Sequence, residues 1–243
     1  MPGLAWHHRA MTTSSSRCLA CAVRETAVCG GIEGSDLAAL SDIGRRRALA
    51  PGQVLTWAGD ANLLCANVVS GILKVTASTA NGREQIVGLL FAGDFVGQPF
   101  SEESTMTVTA LCESDLCIYP RERFERVLGE APGLERALLR QTMRSLNDAR
   151  ERMLTLGQRG AQERVAGFLI DLSEREGSEN ARSVTVEVPV SRGDMADYLG
   201  LTIETVSRQL TRLKGLDAIT LTRAGRAILV KDREVLAALA NPD

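Results

Sequence analysis

Three closely spaced cysteines are the side chains of this sequence best suited to chemistry. Cys18, Cys21 and Cys29 lie within twelve residues, and seven residues separate the second cysteine from the third. Thiolates at such spacing bind zinc or an iron–sulfur cluster, because both prefer sulfur ligands. The pattern favours a cluster over structural zinc or free thiols, although the spacing alone does not decisively separate a cluster from zinc.

A fourth ligand would have to come from Cys65, Cys112 or Cys117. Cys65 lies in an apolar, strand-like run, so we expect it to fill core volume as a small hydrophobic side chain. Cys112 and Cys117 are an odd number of residues apart, so on one continuous strand only one of them would face the N-terminal loop. The pattern leaves both of these cysteines open as the fourth ligand.

A second group of residues is typical of DNA recognition. The segment from Ser191 to Asp194 predicts a capping box, Gly200 predicts the end of a short helix, and Thr202 predicts the N-cap of the next helix. Two helices joined by a glycine turn indicate a helix-turn-helix. A predicted hairpin over residues 219–230 makes the unit a winged helix-turn-helix.

The second of these helices carries side chains that match the edges of DNA bases. Glu204, Ser207 and Arg208 have the spacing i, i+3 and i+4 and therefore share one face near the helix N-terminus. Residues 191–231 contain seven cations and four anions, whereas the whole chain has a net charge of −2. We expect four of these cations to contact phosphates: Arg212, Lys214, Arg223 and Arg226.

The elements that must position these residues are a β-rich region and a long helix. Short β-rich runs over residues 52–120, with Asn81-Gly82 as a hairpin signal, predict an all-β roll. From Pro132 the sequence predicts one helix that ends at Gly157. Together with the C-terminal unit, this is an α+β architecture.

The long helix carries a narrow apolar stripe with heptad spacing between densely charged flanks. Such a stripe favours a parallel helix pair in a homodimer, and packing of the helix on its own β-roll is the alternative. A dimer with two DNA-binding helices would recognise a palindromic operator whose halves lie roughly 34 Å apart. The stripe consists of Leu139, Thr142, Leu146, Ala149, Met153 and Leu156.

Length and composition exclude several other classes of protein. The 243 residues, with 44% hydrophobic and 24% charged side chains, predict a folded chain of more than one domain. No apolar run is long enough for a membrane helix and no secretory signal is evident, so we expect a cytoplasmic protein. No catalytic triad, paired-histidine metal motif or phosphate loop is present, so we expect no enzymatic activity.

The sequence resembles the Crp/Fnr transcription regulators, and among them the oxygen-sensing FNR type. The similarity extends from Cys18 to the final helix, and its most specific stretches are SRGDMADYLGLTIETVSRQL, FAGDFVG and ALCESDLCIYP. It implies a β-roll similar to cyclic-nucleotide-binding domains, a dimerisation helix and a winged helix-turn-helix. The implied segments are a tail with the cysteine loop (1–30), the β-roll (31–131), the helix (132–157) and the DNA-binding domain (158–243).

The resemblance also implies a cofactor and partners. It implies a [4Fe-4S] cluster that assembles without oxygen and permits dimerisation, held by Cys18, Cys21, Cys29 and Cys117, with Cys112 as the second choice for the fourth ligand. Glu204, Ser207 and Arg208 would contact half-sites similar to TTGAT in double-stranded DNA, and RNA polymerase would be a further partner. The best-known FNR proteins have five residues, not seven, between the second and third ligands.

Two other ligands are not expected. Cyclic nucleotide binding would need a cation near the cyclic phosphate, and residues 93–120 contain neither lysine nor arginine, while Gln98 stands where the Crp pattern has glutamate. Haem binding is disfavoured because the two histidines, His7 and His8, lie in the N-terminal tail.

Overall fold

The computed structural model describes residues 17–176, 183–188, 190–222 and 227–241. The chain divides into two compact units. The first comprises the residues up to Leu73 together with Leu89–Arg144, and the second comprises Lys74–Gly88 together with the residues from Ser145 onward.

Two four-stranded sheets form the β-roll, and both have a non-sequential strand order. One sheet has the order β1-β8-β3-β6, and the other has the order β2-β7-β4-β5. The strands are β1 (Arg45–Leu49), β2 (Val54–Thr56), β3 (Leu64–Ser70), β4 (Leu73–Ser78), β5 (Glu84–Leu90), β6 (Phe95–Val96), β7 (Thr107–Ala110) and β8 (Ser114–Pro120).

The helices of the N-terminal half precede and follow the strands of the β-roll along the chain. A short 3-10 helix, Val28–Gly31, precedes α1 (Gly34–Ile43), and α2 (Arg121–Glu130) follows β8 directly. The long helix α3 spans Pro132–Gln158. Phe124 of α2 and Leu134 of α3 are fully buried in one apolar cluster that also contains Leu37, Leu40 and Cys29.

The C-terminal unit combines helices with a small antiparallel sheet. Its elements are α4 (Ala161–Glu176), β9 (Val184–Glu187), α5 (Arg192–Leu199), α6 (Ile203–Gly215), β10 (Ile219–Leu221), β11 (Ala227–Val230) and α7 (Arg233–Ala240). The sheet has the order β10-β11-β9. Met195, Val206, Leu210 and Leu213 are buried, so the apolar faces of α5 and α6 form the core of the unit.

The predicted α+β architecture is confirmed. Within the β-rich region, β3 and β4 are separate strands, because Gly71 (φ 86°) turns the chain between them. A side chain at Gly71 would meet the backbone of Ser114, which leaves room for glycine alone. The strand β1 and the helices α1 and α2 have no counterpart in the sequence prediction.

Among the described helices, none has both the length and the apolar character that crossing a bilayer requires.

Candidate metal centre and DNA-binding surface

The cysteine loop, residues 18–29, folds back on itself through local hydrogen bonds. The amide of Cys21 donates to the carbonyl of Cys18, and the amide of Arg24 donates to the carbonyl of Cys21. Val23, Ala27 and Val28 are buried, so apolar side chains anchor the loop on the β-roll core. Cys29 is buried with them, whereas Cys18 and Cys21 are partly exposed.

Cys117 lies in the middle of β8, beside two strands that present polar side chains. Its register partners are Arg46 on β1 and Asn67 on β3. An interaction with the hydroxyl of Tyr119 lowers the pKa of Cys117, and the same hydroxyl accepts a hydrogen bond of 3.2 Å from the buried amide of Asn67. The Asn67 amide nitrogen also lies 4.0 Å from the sulfur of Cys29. Asn67 and Tyr119 therefore connect two of the cysteines through the core.

The four cysteines implied by the resemblance share one electrostatic environment. Burial raises the pKa of Cys29 to about 11; the cation of Arg24 opposes this rise, and the thiols of Cys21, Cys18 and Cys117 add to it. Burial also raises the pKa of Cys117, to which Cys18 and Cys21 contribute. Cys18, Cys21 and Cys117 also pack against the apolar cluster that contains Cys29, so the four cysteines lie in one region of the structure.

The other two cysteines differ from these four. Cys65 is fully buried on β3, in the same apolar cluster as Cys29, and burial raises its pKa to about 12 with a further contribution from Glu125. Cys112 lies in the turn before β8, so the alternation along a strand does not apply to the pair Cys112 and Cys117. Within the part of the chain that the structure describes, no three Cys, His, Asp or Glu side chains are arranged to hold a single metal ion.

The cysteine loop packs against the first turns of α3 through two glycines. A Cβ placed on Gly133 would lie 2.6 Å from the carbonyl oxygen of Gly31, and one on Gly31 would lie 3.0 Å from the Cβ of Ala137. The backbone that follows Cys29 therefore touches the backbone of the long helix with no side chain between them.

A second contact connects the same loop to α3. Gly93 (φ 96°) lies so close to Thr26 that a Cβ would approach its hydroxyl to 2.6 Å. The carbonyl of Gly93 accepts a hydrogen bond of 3.1 Å from the buried amide of Gln141 on α3. The long helix is therefore reached from Thr26 through Gly93, and directly from Gly31 just after Cys29.

The helix-turn-helix has the caps that its sequence predicts. The hydroxyl of Ser191 accepts from the amide of Asp194 at 3.0 Å, and the hydroxyl of Thr202 accepts from the amide of Thr205. Gly200 ends α5 in the left-handed conformation, with φ 61° and ψ 42°. A Cβ on Gly200 would lie 3.1 Å from the side chain of Leu156. The turn therefore packs directly on the end of α3.

The predicted base-contacting residues all lie on the exposed face of α6. Glu204, Ser207 and Arg208 are exposed, and Arg208 donates to the hydroxyl of Thr205 at 3.2 Å. Hydrogen bonds from its own amide and from Thr202 lower the pKa of Glu204, and Arg208 lowers it further. Glu204 is therefore an anionic hydrogen-bond acceptor at the helix N-terminus.

The predicted phosphate contacts are described in part. Arg212 and Lys214 are exposed in the last turns of α6. Arg223 and Arg226 lie outside the described residues, as do His7 and His8.

The predicted dimer stripe is solvent-exposed along most of α3. Leu139 is 60% exposed and Met153 is 72% exposed, and Thr142, Leu146 and Ala149 are exposed as well. Only Leu156, beside Gly200, is partly buried. This exposure argues against the alternative in which the stripe packs on its own β-roll.

The β4–β5 hairpin touches the DNA-binding helices within the second unit. Lys74 forms an ion pair of 2.6 Å with Asp194, the residue that completes the cap of α5. Arg152 of α3 donates to the carbonyl of Ile86 at 3.0 Å, and its guanidinium lies 3.4 Å from the ring centroid of Tyr198.

Sequence reasoning missed the residues that support the site. Asn67 is a polar residue inside an apolar strand, and Arg24 is the one cation between the second and third cysteines of the loop. Both features are visible in the sequence and could have indicated a role near the cysteines. No feature of the sequence indicates the role of Lys74, because its partner Asp194 is distant in the chain.

A sensor-type β-roll, a long exposed helix and a capped helix-turn-helix define a DNA-binding transcription regulator. Residues 163–239 match the Crp-like helix-turn-helix domain, and residues 46–131 match the cyclic nucleotide-binding domain. The chain is 40% identical to a "Probable transcriptional activator" of Rhizobium leguminosarum bv. viciae over 219 residues, which is 90% of this chain and 91% of that protein.

Two further comparisons agree. The "Transcriptional activator protein FnrL" of Cereibacter sphaeroides is 38% identical over 220 residues, which is 89% of this chain and 88% of that protein. The solved structure of FixK2 from Bradyrhizobium japonicum superposes with a TM-score of 0.75 at 26% identity, covering 83% of this chain and 99% of that chain. The chain belongs to the Crp/Fnr family; it is a transcription regulator and not an enzyme.

The β-roll matches a cyclic nucleotide-binding domain, but its Gln98 is engaged within the protein. The Gln98 amide nitrogen donates to the hydroxyl of Thr105 at 2.7 Å, and its oxygen accepts from the Thr105 amide at 3.2 Å. The absence of cyclic nucleotide binding stays a prediction.

Proposed function

We propose that this regulator is a homodimeric, oxygen-responsive transcription activator whose [4Fe-4S] cluster is held by Cys18, Cys21, Cys29 and Cys117. The observation that carries the proposal is the packing of Cys18, Cys21 and Cys117 against the apolar cluster that contains Cys29. The mutual effects of these four thiols on the pKa values of Cys29 and Cys117 agree with it, whereas no other cysteine contributes to the pKa of Cys65. Similarity to proteins named as transcriptional activators supports activation, as opposed to repression, of transcription. RNA polymerase is the partner that activation requires.

The residues fit such a cluster in their chemistry. Four thiols are the donor set that iron–sulfur clusters use. When bound, the cluster supplies a redox-active centre whose integrity depends on oxygen. Because burial keeps Cys29 and Cys117 protonated near neutral pH, ligation has to remove their protons. The polar groups of Asn67 and Tyr119 then face the two sulfurs.

The loop can transmit its state to dimerisation through α3. Gly31 follows Cys29 by two residues and contacts Gly133 without an intervening side chain. Thr26 reaches Gln141 through Gly93. A loop held by four cysteine ligands supports the first turns of α3, and a released loop withdraws that support. The exposed stripe on the same helix then gains or loses its partner.

We propose that α6 is the DNA recognition helix. Arg208 can donate two hydrogen bonds to guanine, Glu204 can accept from an amino group of cytosine or adenine, and Ser207 can contact a neighbouring base. Arg212 and Lys214 would contact phosphates, together with Arg223 and Arg226. Two copies of α6 in the dimer would face an inverted repeat with TTGAT-like halves.

Anaerobic purification followed by iron and sulfide analysis tests the cofactor. We expect about four of each per chain, with a visible absorbance that disappears in air. The Cys117→Ser variant should lose the iron and the colour, while Cys112→Ser should keep both. A colourless protein that contains zinc, or a Cys117→Ser variant that retains a normal cluster, would contradict the proposal.

A further inference from the structure

Arg24 occupies an unusual place inside the cysteine loop. Its guanidinium donates one hydrogen bond to the carbonyl oxygen of Cys29 and another to the carbonyl oxygen of Ile32. These two carbonyls flank the pair Gly30-Gly31, of which Gly31 contacts α3. One side chain therefore joins the peptide of the third cysteine to the peptide that precedes α1.

The backbone of Arg24 and Glu25 packs closely against Gly30. A Cβ on Gly30 would lie 2.6 Å from the carbonyl oxygen of Glu25 and 2.9 Å from that of Arg24. The segment that carries Arg24 thus lies directly against the residue after Cys29. The amide of Gly30 also donates to the carbonyl of Ala27 at 2.9 Å.

We propose that Arg24 is a positioning residue for the metal centre: by bridging the carbonyls of Cys29 and Ile32, it fixes the third cysteine where the cluster needs it. This inference rests on the proposed function, because it assigns a residue to the proposed cluster. Arg24 is not a ligand. It acts through the Cys29 peptide.

The bridge requires arginine specifically. A guanidinium presents several N–H groups in a rigid plane and can serve two acceptors at once, whereas a lysine ammonium is a point charge on a flexible stem. Arg24→Lys therefore keeps the cation and removes the fork, and Arg24→Gln removes both. Arg17→Gln, at an exposed arginine beside Cys18, is the matched control.

The first measurement uses the metal-free full-length protein and hydrogen exchange of the segment Val28–Ile32. Because both variants lose hydrogen bonds from a charged group to the backbone, both should exchange this segment roughly tenfold faster than the wild type. The Arg17→Gln control should exchange at the wild-type rate. Unchanged exchange in both Arg24 variants would overturn the bridge.

The second measurement uses anaerobically prepared protein and follows iron content and visible circular dichroism. Loss of a residue that orients a ligand typically reduces metal affinity about 10- to 100-fold. Both Arg24 variants should therefore lose iron to a chelator at least about tenfold faster and show an altered dichroism spectrum. Wild-type retention in Arg24→Lys would overturn the positioning role and assign the effect to charge.

The two measurements distinguish failure of the proposed function from failure of the role of Arg24. If the wild type takes up no cluster, the proposed function is wrong, and the exchange measurement still decides whether Arg24 holds the Cys29 peptide. If the wild type holds a cluster and both variants hold it equally well, the proposed function stands and the inference is wrong.

Discussion

At the scale of single residues, surroundings distinguish side chains of identical chemistry. Six cysteines are available, and four of them share one environment between the loop and β8. Cys65 is enclosed by the core, and Cys112 lies in a turn. The same holds for arginines: Arg24 bonds to carbonyls inside the protein, whereas Arg208 projects from the surface of α6. Burial and neighbours, more than residue type, assign each one a role.

Replacing Arg208 by alanine tests the assignment of base contacts. The loss of a paired hydrogen bond to guanine should cost roughly 1 to 3 kcal/mol at the half-site and little on unrelated DNA. Binding to labelled operator and to scrambled DNA at one salt concentration measures both. Arg212→Ala is the control, and it should weaken both complexes to a similar degree. Equal loss on both sequences for Arg208→Ala would make it a phosphate contact.

At the scale of elements, α3 has two different surfaces. Its first turns are buried against the cysteine loop through Gly133 and Ala137, while its heptad stripe is exposed. An apolar stripe of this length in water favours association with a second helix. One element thus carries both the contact with the cysteine loop and the exposed apolar stripe.

The stripe predicts the effect of a charge at its centre. Ala149→Asp would bury an unpaired carboxylate in the proposed helix pair, at a cost of about 3 kcal/mol or roughly a 100-fold rise in the dimer dissociation constant. Sedimentation equilibrium measures this change. Asn147→Asp adds the same charge on the same helix outside the stripe and should leave the dimer intact. Equal sedimentation of Ala149→Asp and wild type would place the dimer contact elsewhere.

The glycine contact predicts a second effect on α3. Gly133→Ala places a methyl group 2.6 Å from the carbonyl of Gly31, so the loop has to shift even though alanine favours a helix. We expect a loss of about 1 to 3 kcal/mol in the free energy of unfolding of the metal-free protein, with weaker dimerisation. Gly129→Ala, which has no atom within 4 Å of its new methyl, should be neutral or stabilising. A stabilised Gly133→Ala variant would refute the tight contact.

At the scale of the whole molecule, residues distant in sequence complete the DNA-binding unit. Lys74 belongs to the β4–β5 hairpin of the roll, yet it pairs with Asp194 at the cap of α5. Burial opposes ionisation of Asp194, but hydrogen bonds from Lys74 and Ser191 outweigh this and lower its pKa. The hairpin therefore contributes to the stability of the helix-turn-helix.

This ion pair predicts a pH-dependent effect of Lys74→Met. Because the folded pKa of Asp194 lies below its unfolded value, the pair stabilises the fold above the ordinary aspartate pKa of about 3.9 and is lost as the pH falls through the lower, folded value. The variant should lose about 1 kcal/mol near neutral pH, and the difference should shrink in acid. Denaturant unfolding across this pH range measures it.

The exposed pair of Lys231 and Asp217 provides the control for that experiment. Lys231→Met should behave like the wild type at every pH, since exposed ion pairs contribute little. A Lys74→Met effect that does not depend on pH would assign it to packing of the side chain.

The sequence predicted the elements whose signals are local. The caps of α5 and α6 at Ser191 and Thr202, the turn at Gly200 and the long helix from Pro132 depend on neighbouring residues, and all are confirmed. The helices α1 and α2 have no side-chain cap, which explains why they were missed. Strand register decides whether Cys117 or Cys112 faces the cysteine loop, and the local sequence does not show that register. The contacts of Arg24 and Lys74 likewise depend on how the chain turns back on itself.

The contact between Gly200 and Leu156 has a consequence for operator geometry. Arg164 donates to the carbonyls of Leu156 and Leu199, so it joins the last turn of α3 to the same bend. In the proposed dimer, the last turn of α3 and the helix-turn-helix would then move together. A single base pair inserted between the half-sites displaces one of them by about 3.4 Å and rotates it around the duplex, so we expect the dimer to bind such an operator more weakly.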